Sequence, residues 1–322
     1  MSMKLEHLRS FEAVARLGHF TRAAEELFLA QPSLSRQVAA LEAELGATLF
    51  RRAPSGISLT AAGEVLLPIA RRMLGDASAA REQLDDLAGL RRGRVRLGAT
   101  PTLCVSLVAD VLAAFREAHP GVELHITEGG SRALVEALDQ GSLDLALTVT
   151  RGSHDAPSAT ELIPLLTEEL VVVTAAGADA ASGSDALTLA QLARLPLVAF
   201  NRSYDLRIAT DAAFAAAGLT PTIAVEGSEM DAVLRFVERG LGVAVVPAMV
   251  GIDRPALRSI RLVRPQLART VNLARRTDVS LSAAAAAMQQ TVFATVDRLA
   301  APGTVLAQRV SAVARQRRSS AG

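Results

Sequence analysis

At 322 residues, 50% hydrophobic and 21% charged, the chain is long enough for two or three domains and has the make-up of a soluble globular protein. No run approaches the apolar length of a membrane span, and the opening MSMKLEHLRS carries charges where a signal peptide needs an apolar stretch. A cytoplasmic protein without a membrane partner is therefore expected. A formal net charge of +1 confines any nucleic-acid affinity to a local patch, and the single cysteine, Cys104, excludes an intramolecular disulfide or a cysteine metal cluster.

The chain opens with a helical pattern, Leu8, Phe11, Val14 and Ala15 falling on one face. FTRAAEELFLAQPSLSRQVAALEAELG, Phe20 to Gly46, then reads as two short amphipathic helices. Ala23, Ala24 and Leu27 form the apolar face of the first, and Leu34, Val38, Leu41 and Leu45 that of the second. Only Phe28, Leu29 and Ala30 lie between, so the helices must cross steeply, as in a helix-turn-helix. RRAPSGISLT follows with the turn residues of a small β wing.

From Thr60 to about Gly89 the pattern is one long helix of ~45 Å. Leu66, Ala70, Met73, Ala77, Ala80, Leu84 and Leu87 alternate four and three apart, a coiled-coil seam whose obvious partner is a second copy of the chain. Thr60 is the expected N-cap, although Gly63 stands where a capping-box acid would be. Pro68 should kink the axis at a cost of about 3 kcal/mol, which partner packing must offset.

Beyond Arg94, strands alternate with helices. Arg94–Ala99, Val122–Thr127, Leu143–Val149, Glu169–Thr174, Leu197–Phe200 and Thr222–Glu226 read as strands; Leu103–Ala118, Ser131–Gln140, Tyr204–Ala217 and Ser228–Arg239 read as helices. The alternation predicts a parallel α/β sheet, with room for two lobes. Strand-like Ile260–Val263 and Thr270–Ala274 and a helix over Leu281–Leu299 complete it, before a polar, frayed end.

Two sets of residues suggest binding. The second short helix starts with Gln31, Pro32, Ser33, Ser35 and Arg36, groups able to hydrogen-bond base edges or phosphate in a major groove. Ser, Pro and Gln are also ordinary capping residues, and the cluster alone leaves the two readings evenly matched. Arg51 and Arg52, where a wing would flank the groove, tilt the balance toward DNA.

The second set follows from the rule that open α/β sheets bind ligands beyond the carboxyl ends of their strands. Strands end at Thr100-Pro101-Thr102, before Gly129-Gly130-Ser131, at Thr148-Val149-Thr150 and at Asn201-Arg202-Ser203. Hydroxyls at helix starts suit a carboxylate or another anion, although Thr100, Ser131 and Ser228 could simply cap their helices.

Enzymatic chemistry finds no support. His7, His19, His119, His125 and His154 are scattered without metal spacing, and neither a GxSxG elbow nor a GxxxxGK[ST] loop occurs. No catalytic residue, metal or cofactor is expected.

Phe11 to Leu67, with AQPSLSRQVAALEAELGATLF followed by LTAAGE, resembles the winged helix-turn-helix of LysR-type transcriptional regulators, and the remainder is consistent with that family's linker helix and effector domain. The resemblance implies an α plus α/β architecture. Residues 1–59 would be a winged helix-turn-helix DNA-binding domain, 60–92 a dimerisation linker helix, and 93–302 a two-lobed, periplasmic-binding-protein-like effector domain. Lobe I would span about 93–162 and 265–302, lobe II about 163–264, and 303–322 a polar, flexible tail.

It further implies that Gln31, Pro32, Ser33, Ser35, Arg36, Arg51 and Arg52 contact double-stranded DNA, and that Thr100, Thr102, Ser131, Thr148, Asn201, Arg202, Ser203 and, more weakly, Ser228 hold a small-molecule effector. A homotetramer built as a dimer of dimers is implied as well, with RNA polymerase as a further candidate partner. Ala30 and His19 depart from the family's usual Ser or Thr and Ser. Two alternatives stay open: a regulator acting without ligand, or one sensing through the Cys104 thiol.

Overall fold

The computed structural model describes residues 3–53, 56–87, 93–150, 159–178, 185–202, 204–251, 254–304 and 306–313. Its head is formed by α1 (Leu5–Leu17), α2 (Phe20–Glu26) and α3 (Gln31–Leu45), followed by the antiparallel hairpin of β1 (Phe50–Ala53) and β2 (Gly56–Leu59). Leu8, Phe11 and Val14 from α1 are fully buried, as are Leu34 and Leu41 from α3, so the helical spacing read in the sequence is the packing spacing. Gly18 ends α1 in the left-handed region at φ 67, where a side chain would be strained. Phe50 anchors the hairpin, its ring centroid 5.3 Å from that of Phe11 and 5.8 Å from that of Phe20.

Helix α4 (Ala61–Leu87) starts on a side-chain cap: the Gly63 N–H donates to Thr60 Oγ1 at 3.1 Å. Gly63 stands where an acid would complete a capping box because a Cβ there would lie 2.3 Å from the Leu49 carbonyl oxygen. The helix continues through Pro68.

The expected seam is only partly a seam. Leu66 and Ala70 are buried with Leu8, Phe11, Leu41 and Leu49 of the chain's own head, so they are not available to a second copy. Among the described residues, the large apolar side chains that α4 exposes are Val65 and Ile69, on a different face, and Leu84 of the seam itself. The Leu87 side chain lies outside the described residues.

The second half of α4 lies on the α/β region. The backbones of Gly75 and Gly141 meet so closely that a Cβ on Gly75 would stand 2.6 Å from the Gly141 oxygen. Polar contacts flank this point: Arg276 Nη1 to Asp76 Oδ1 at 2.7 Å, Arg71 Nη1 to Gln140 Oε1 at 3.2 Å, Gln83 Nε2 to the Ser280 carbonyl at 2.8 Å, and an Arg72–Asp278 ion pair.

The α/β region continues with β3 (Arg94–Ala99), α5 (Pro101–Leu103), a π turn (Cys104–Val108), α6 (Ala109–Ala118), β4 (Glu123–Glu128), α7 (Ser131–Asp139), β5 (Leu145–Thr150) and the long β6 (Thr160–Ala175). After β7 (Ala186–Thr188) and α8 (Leu189–Leu192) come β8 (Pro196–Phe200), α9 (Asp205–Ala216), β9 (Thr222–Gly227), α10 (Met230–Glu238) and β10 (Ala244–Pro247). A 3-10 turn (Ala248–Gly251), β11 (Leu257–Val263), β12 (Ala268–Arg276), α11 (Ala283–Leu299) and β13 (Val310–Ala312) follow.

One lobe is built on β4-β3-β5-β12 and the first half of β6; the other gathers β10, β11 and β7 around the second half of β6, with the parallel pair β8-β9 joined through a Leu197–Val243 bridge. The expectation of a parallel sheet holds for β3, β4 and β5 but not for β12, which is antiparallel to both β5 and β6. Strands β6 and β12 carry the chain between the lobes in opposite senses, which imposes that pairing. The expected loose tail over 303–322 needs correction as far as residue 313, and 314–322 lie outside the described residues. Leu306 and Val310 are buried, and β13 pairs with Leu166–Glu168 of β6, because two apolar residues can still be buried beside that strand.

Gly75→Val should push α4 off the α/β region, lowering unfolding free energy by about 1–3 kcal/mol through overpacking. Urea unfolding followed by circular dichroism measures it, and an unchanged midpoint would contradict the close approach.

Candidate nucleic-acid interface and ligand cleft

Helix α3 buries Leu34, Val38 and Leu41 against the head and turns the other side of its first turns outward. Gln31, Pro32 and Arg36 are exposed, while Ser33 and Ser35 are half-buried. Gln31 Nε2 reaches Ser35 Oγ at 3.4 Å along this face, and Gln37 is held from beneath by the buried Ser10 hydroxyl. Ala30 is the N-cap and, lacking a side-chain acceptor, makes no cap hydrogen bond; Ser33 and Leu34 donate to its carbonyl instead. Phe28, in the connection, takes a left-handed φ of 54 and is 97% exposed. On the wing, exposed Arg51 donates from Nε to Ser58 Oγ across the hairpin at 3.1 Å; the Arg52 side chain lies outside the described residues.

The cleft lies at the carboxyl end of β3. A cavity of about 130 Å³ is lined by Thr100, Pro101, Thr102 and Gly130 on one side, by Tyr204, Asp205 and Leu206 on the other, and by Val149 and Arg269. Pro101 starts α5 directly after the strand, which leaves Thr100 and Thr102 at the floor, their hydroxyls 3.4 Å apart.

Beside them Arg269, 3% exposed, donates from Nη1 to Thr102 Oγ1 at 2.7 Å and from Nε to Glu168 Oε2 at 2.9 Å. Its Nη2 stands 2.8 Å from the same carboxylate oxygen without an aligned hydrogen bond. Glu168 is fully buried and accepts the Met249 N–H at 2.7 Å, which links the floor to the opposite lobe.

Tyr204 stacks on Phe200 at 4.6 Å, and its buried hydroxyl has no partner. Burial, aided by Glu128 and opposed by Arg269, pushes that phenol up to about 12. A second, open depression over Glu161, Arg275, Arg276 and Asp278 has its charges paired with one another and offers a ligand less.

Of the residues expected at the effector site, the cavity gathers Thr100 and Thr102. The Ser131 hydroxyl accepts the Val149 N–H at 3.0 Å, a structural contact next to Gly130. Thr148 is buried with an unpartnered hydroxyl and does not line the cavity; neither do Asn201, Arg202 or Ser228, and Ser203 lies outside the described residues. Sequence reasoning missed Arg269, Tyr204 and Asp205. A single arginine at a strand start reads as a solvated charge, and its partner Glu168 is 101 positions away.

Cys104, on the π turn beside the cleft, is half-buried. Burial and Glu128 push its thiol up to about 11, away from the depressed range of reactive thiolates. Among the described residues no helix is long and apolar enough to cross a membrane, and no His, Cys, Asp and Glu group has the arrangement of a metal site.

A winged head presenting a polar helix start, joined to a two-lobed domain with a cleft, defines a DNA-binding regulator carrying an effector-binding domain. Residues 5–64 match the bacterial regulatory helix-turn-helix protein family, lysR type, and residues 88–296 match the LysR substrate binding domain, so the chain belongs to the LysR family of transcriptional regulators, which are not enzymes.

It is 32% identical to the uncharacterized HTH-type transcriptional regulator YybE of Bacillus subtilis, over 84% of this chain and 92% of that one. With the regulator IlvR of Caulobacter vibrioides the identity is 33%, over 86% and 94%. Among solved structures, a full-length cysteine-to-aspartate variant of OxyR from Pseudomonas aeruginosa superposes with a TM-score of 0.71 at 25% identity, covering 92% of this chain and 95% of that chain. Full-length CbnR complexed with its target DNA superposes with a TM-score of 0.65 at 26% identity, covering 91% and 99%.

Arg269→Met should cost about 3–5 kcal/mol in unfolding free energy, because it strands the Glu168 carboxylate in the interior. The double variant with Glu168→Met should regain most of that in the same chemical denaturation, and equal losses for the single and double variants would show that the charges are not coupled.

Proposed function

We propose that this regulator reads its operator with Gln31, Pro32, Ser33, Ser35 and Arg36 in a major groove while Arg51 and Arg52 hold the backbone beside the wing. The carrying observation is the division of α3 into a face buried in the head and an exposed polar start. The likeness to CbnR in its DNA complex supports the same reading. In the proposed division residues 1–59 bind DNA, 60–92 link, and 93–302 sense, with the protein acting in the cytoplasm beside RNA polymerase. Its effector is a small molecule with an anionic group, held at the α5 start by Thr100, Thr102 and Arg269 and closed over by Tyr204.

Arg36→Ala should lose about 1–3 kcal/mol of operator affinity and relax discrimination at its base pair. Arg51→Ala should weaken binding to all sequences and reduce the salt slope by about one. Gel-shift titrations at two salt concentrations measure both, and unchanged binding by both variants would sink the assignment.

The reading includes self-association along α4, through a dimer to a tetramer. The exposed Val65 and Ile69 mark the face that meets the partner. Placing glutamate at both positions should lower the mass found by light scattering on a sizing column to that of a smaller assembly. A wild-type monomer, or an unaffected assembly, would refute this seam.

A further inference from the structure

The cavity has a direction. At its floor are the hydroxyls of Thr100 and Thr102, the start of α5 and Arg269. Glu168 already balances the Arg269 charge, so the floor offers a ligand hydrogen-bond donors rather than net positive charge.

The mouth is acidic. Asp205 lines it, Glu128 ends β4 two residues before the lining residue Gly130, and Glu229 precedes α10. The Gly129 N–H donates to the Ala99 carbonyl at 3.2 Å, which brings the end of β4 against the cleft floor, and the Asn201 N–H donates to the Gly227 carbonyl at 3.0 Å, which brings the approach to α10 beside the Tyr204 segment. Tyr204 lies among all four charges: Glu128, Glu229 and Asp205 oppose ionisation of its phenol, and Arg269 favours it. Arg202 is exposed and outside the lining.

A bare carboxylate would find donors below but three acids around the mouth, and a bare amine would find the acids but leave the donors of the floor without an acceptor. A molecule carrying both groups satisfies both ends. A cavity of about 130 Å³ suits a small ligand.

We propose that the effector is a small zwitterion of the α-amino-acid class, its carboxylate on the hydroxyls of Thr100 and Thr102 beside Arg269, its ammonium toward Asp205, Glu128 and Glu229. The assignment rests on reading this cavity as the effector site.

The test is calorimetric titration of the full-length protein with three matched sets: the coded amino acids, the 2-hydroxy acids with the same side chains, and the corresponding primary amines. At least one small amino acid should bind ten-fold or more tightly than its hydroxy acid and its amine. Glu128→Gln with Asp205→Asn, both at exposed positions, should reduce its affinity to that of the hydroxy acid and leave the hydroxy acid unchanged. Hydroxy acids binding as tightly as amino acids would overturn the zwitterion and leave an anion sensor standing, and amines binding as tightly would overturn both the zwitterion and the anion-binding floor. No binding by any of the three sets at millimolar concentration would overturn the effector-site reading together with the zwitterion. Amino-acid binding unaffected by the double variant would place the ligand elsewhere and refute the proposal.

Discussion

Two strands hold the α/β region together, and one buried contact sets how they lie. Arg269 on β12 is opposite Glu168 on β6, both almost free of solvent. A charge in that position is tolerated only when paired and hydrogen-bonded. Sliding β12 by one residue would turn Arg269 to the other face of the sheet and leave Glu168 without its cation. The ion pair therefore fixes the register of the crossover between lobes. Its remaining bonds, from Arg269 to Thr102 and from the Met249 N–H to Glu168, fasten one contact to each side of the cleft. The floor of the cleft and the lobe junction thus share Arg269 and Glu168.

The head solves a simpler problem with the same logic. Leu34, Val38 and Leu41 hold α3 by its apolar side, and Ser10 holds Gln37, so the polar start is presented by packing rather than by a cap. That accounts for the tolerance of Ala30, whose missing side-chain bond is not what positions the helix. The exposed Phe28 keeps a backbone conformation that most residues avoid, within hydrogen bonds from its own N–H to the Glu25 carbonyl and from Leu29 to that of Ala24.

Much of this was legible in the sequence because it is local. The steep helix pair, the wing, the Thr60 cap and the alternating strands all come from spacings of a few residues. What escaped was long-range. β6 was read only over its later part, since Pro164 and the paired glutamates break the apolar run, yet the strand begins at Thr160 and absorbs Pro164 at a register shift opposite Val271 and Asn272. The heptad along α4 correctly announced a long helix but not which face would be left over, because Leu66 and Ala70 are claimed by the chain's own head. Arg269 carried no signal, as its meaning depends on a carboxylate far away in the chain.

The meeting of Gly75 with Gly141 fixes α4 to the α/β region near the helix's mid-length. The helix runs 27 residues, and its head end lies some fourteen residues, or about 21 Å, from the glycine contact. Turning the sensing lobe by about five degrees at that point would swing the reading head through about 2 Å, comparable to the tolerance of a hydrogen bond to a base edge. Two residues without side chains thus set α4 backbone to backbone on the α/β region, at a point from which any rotation would be magnified at the head.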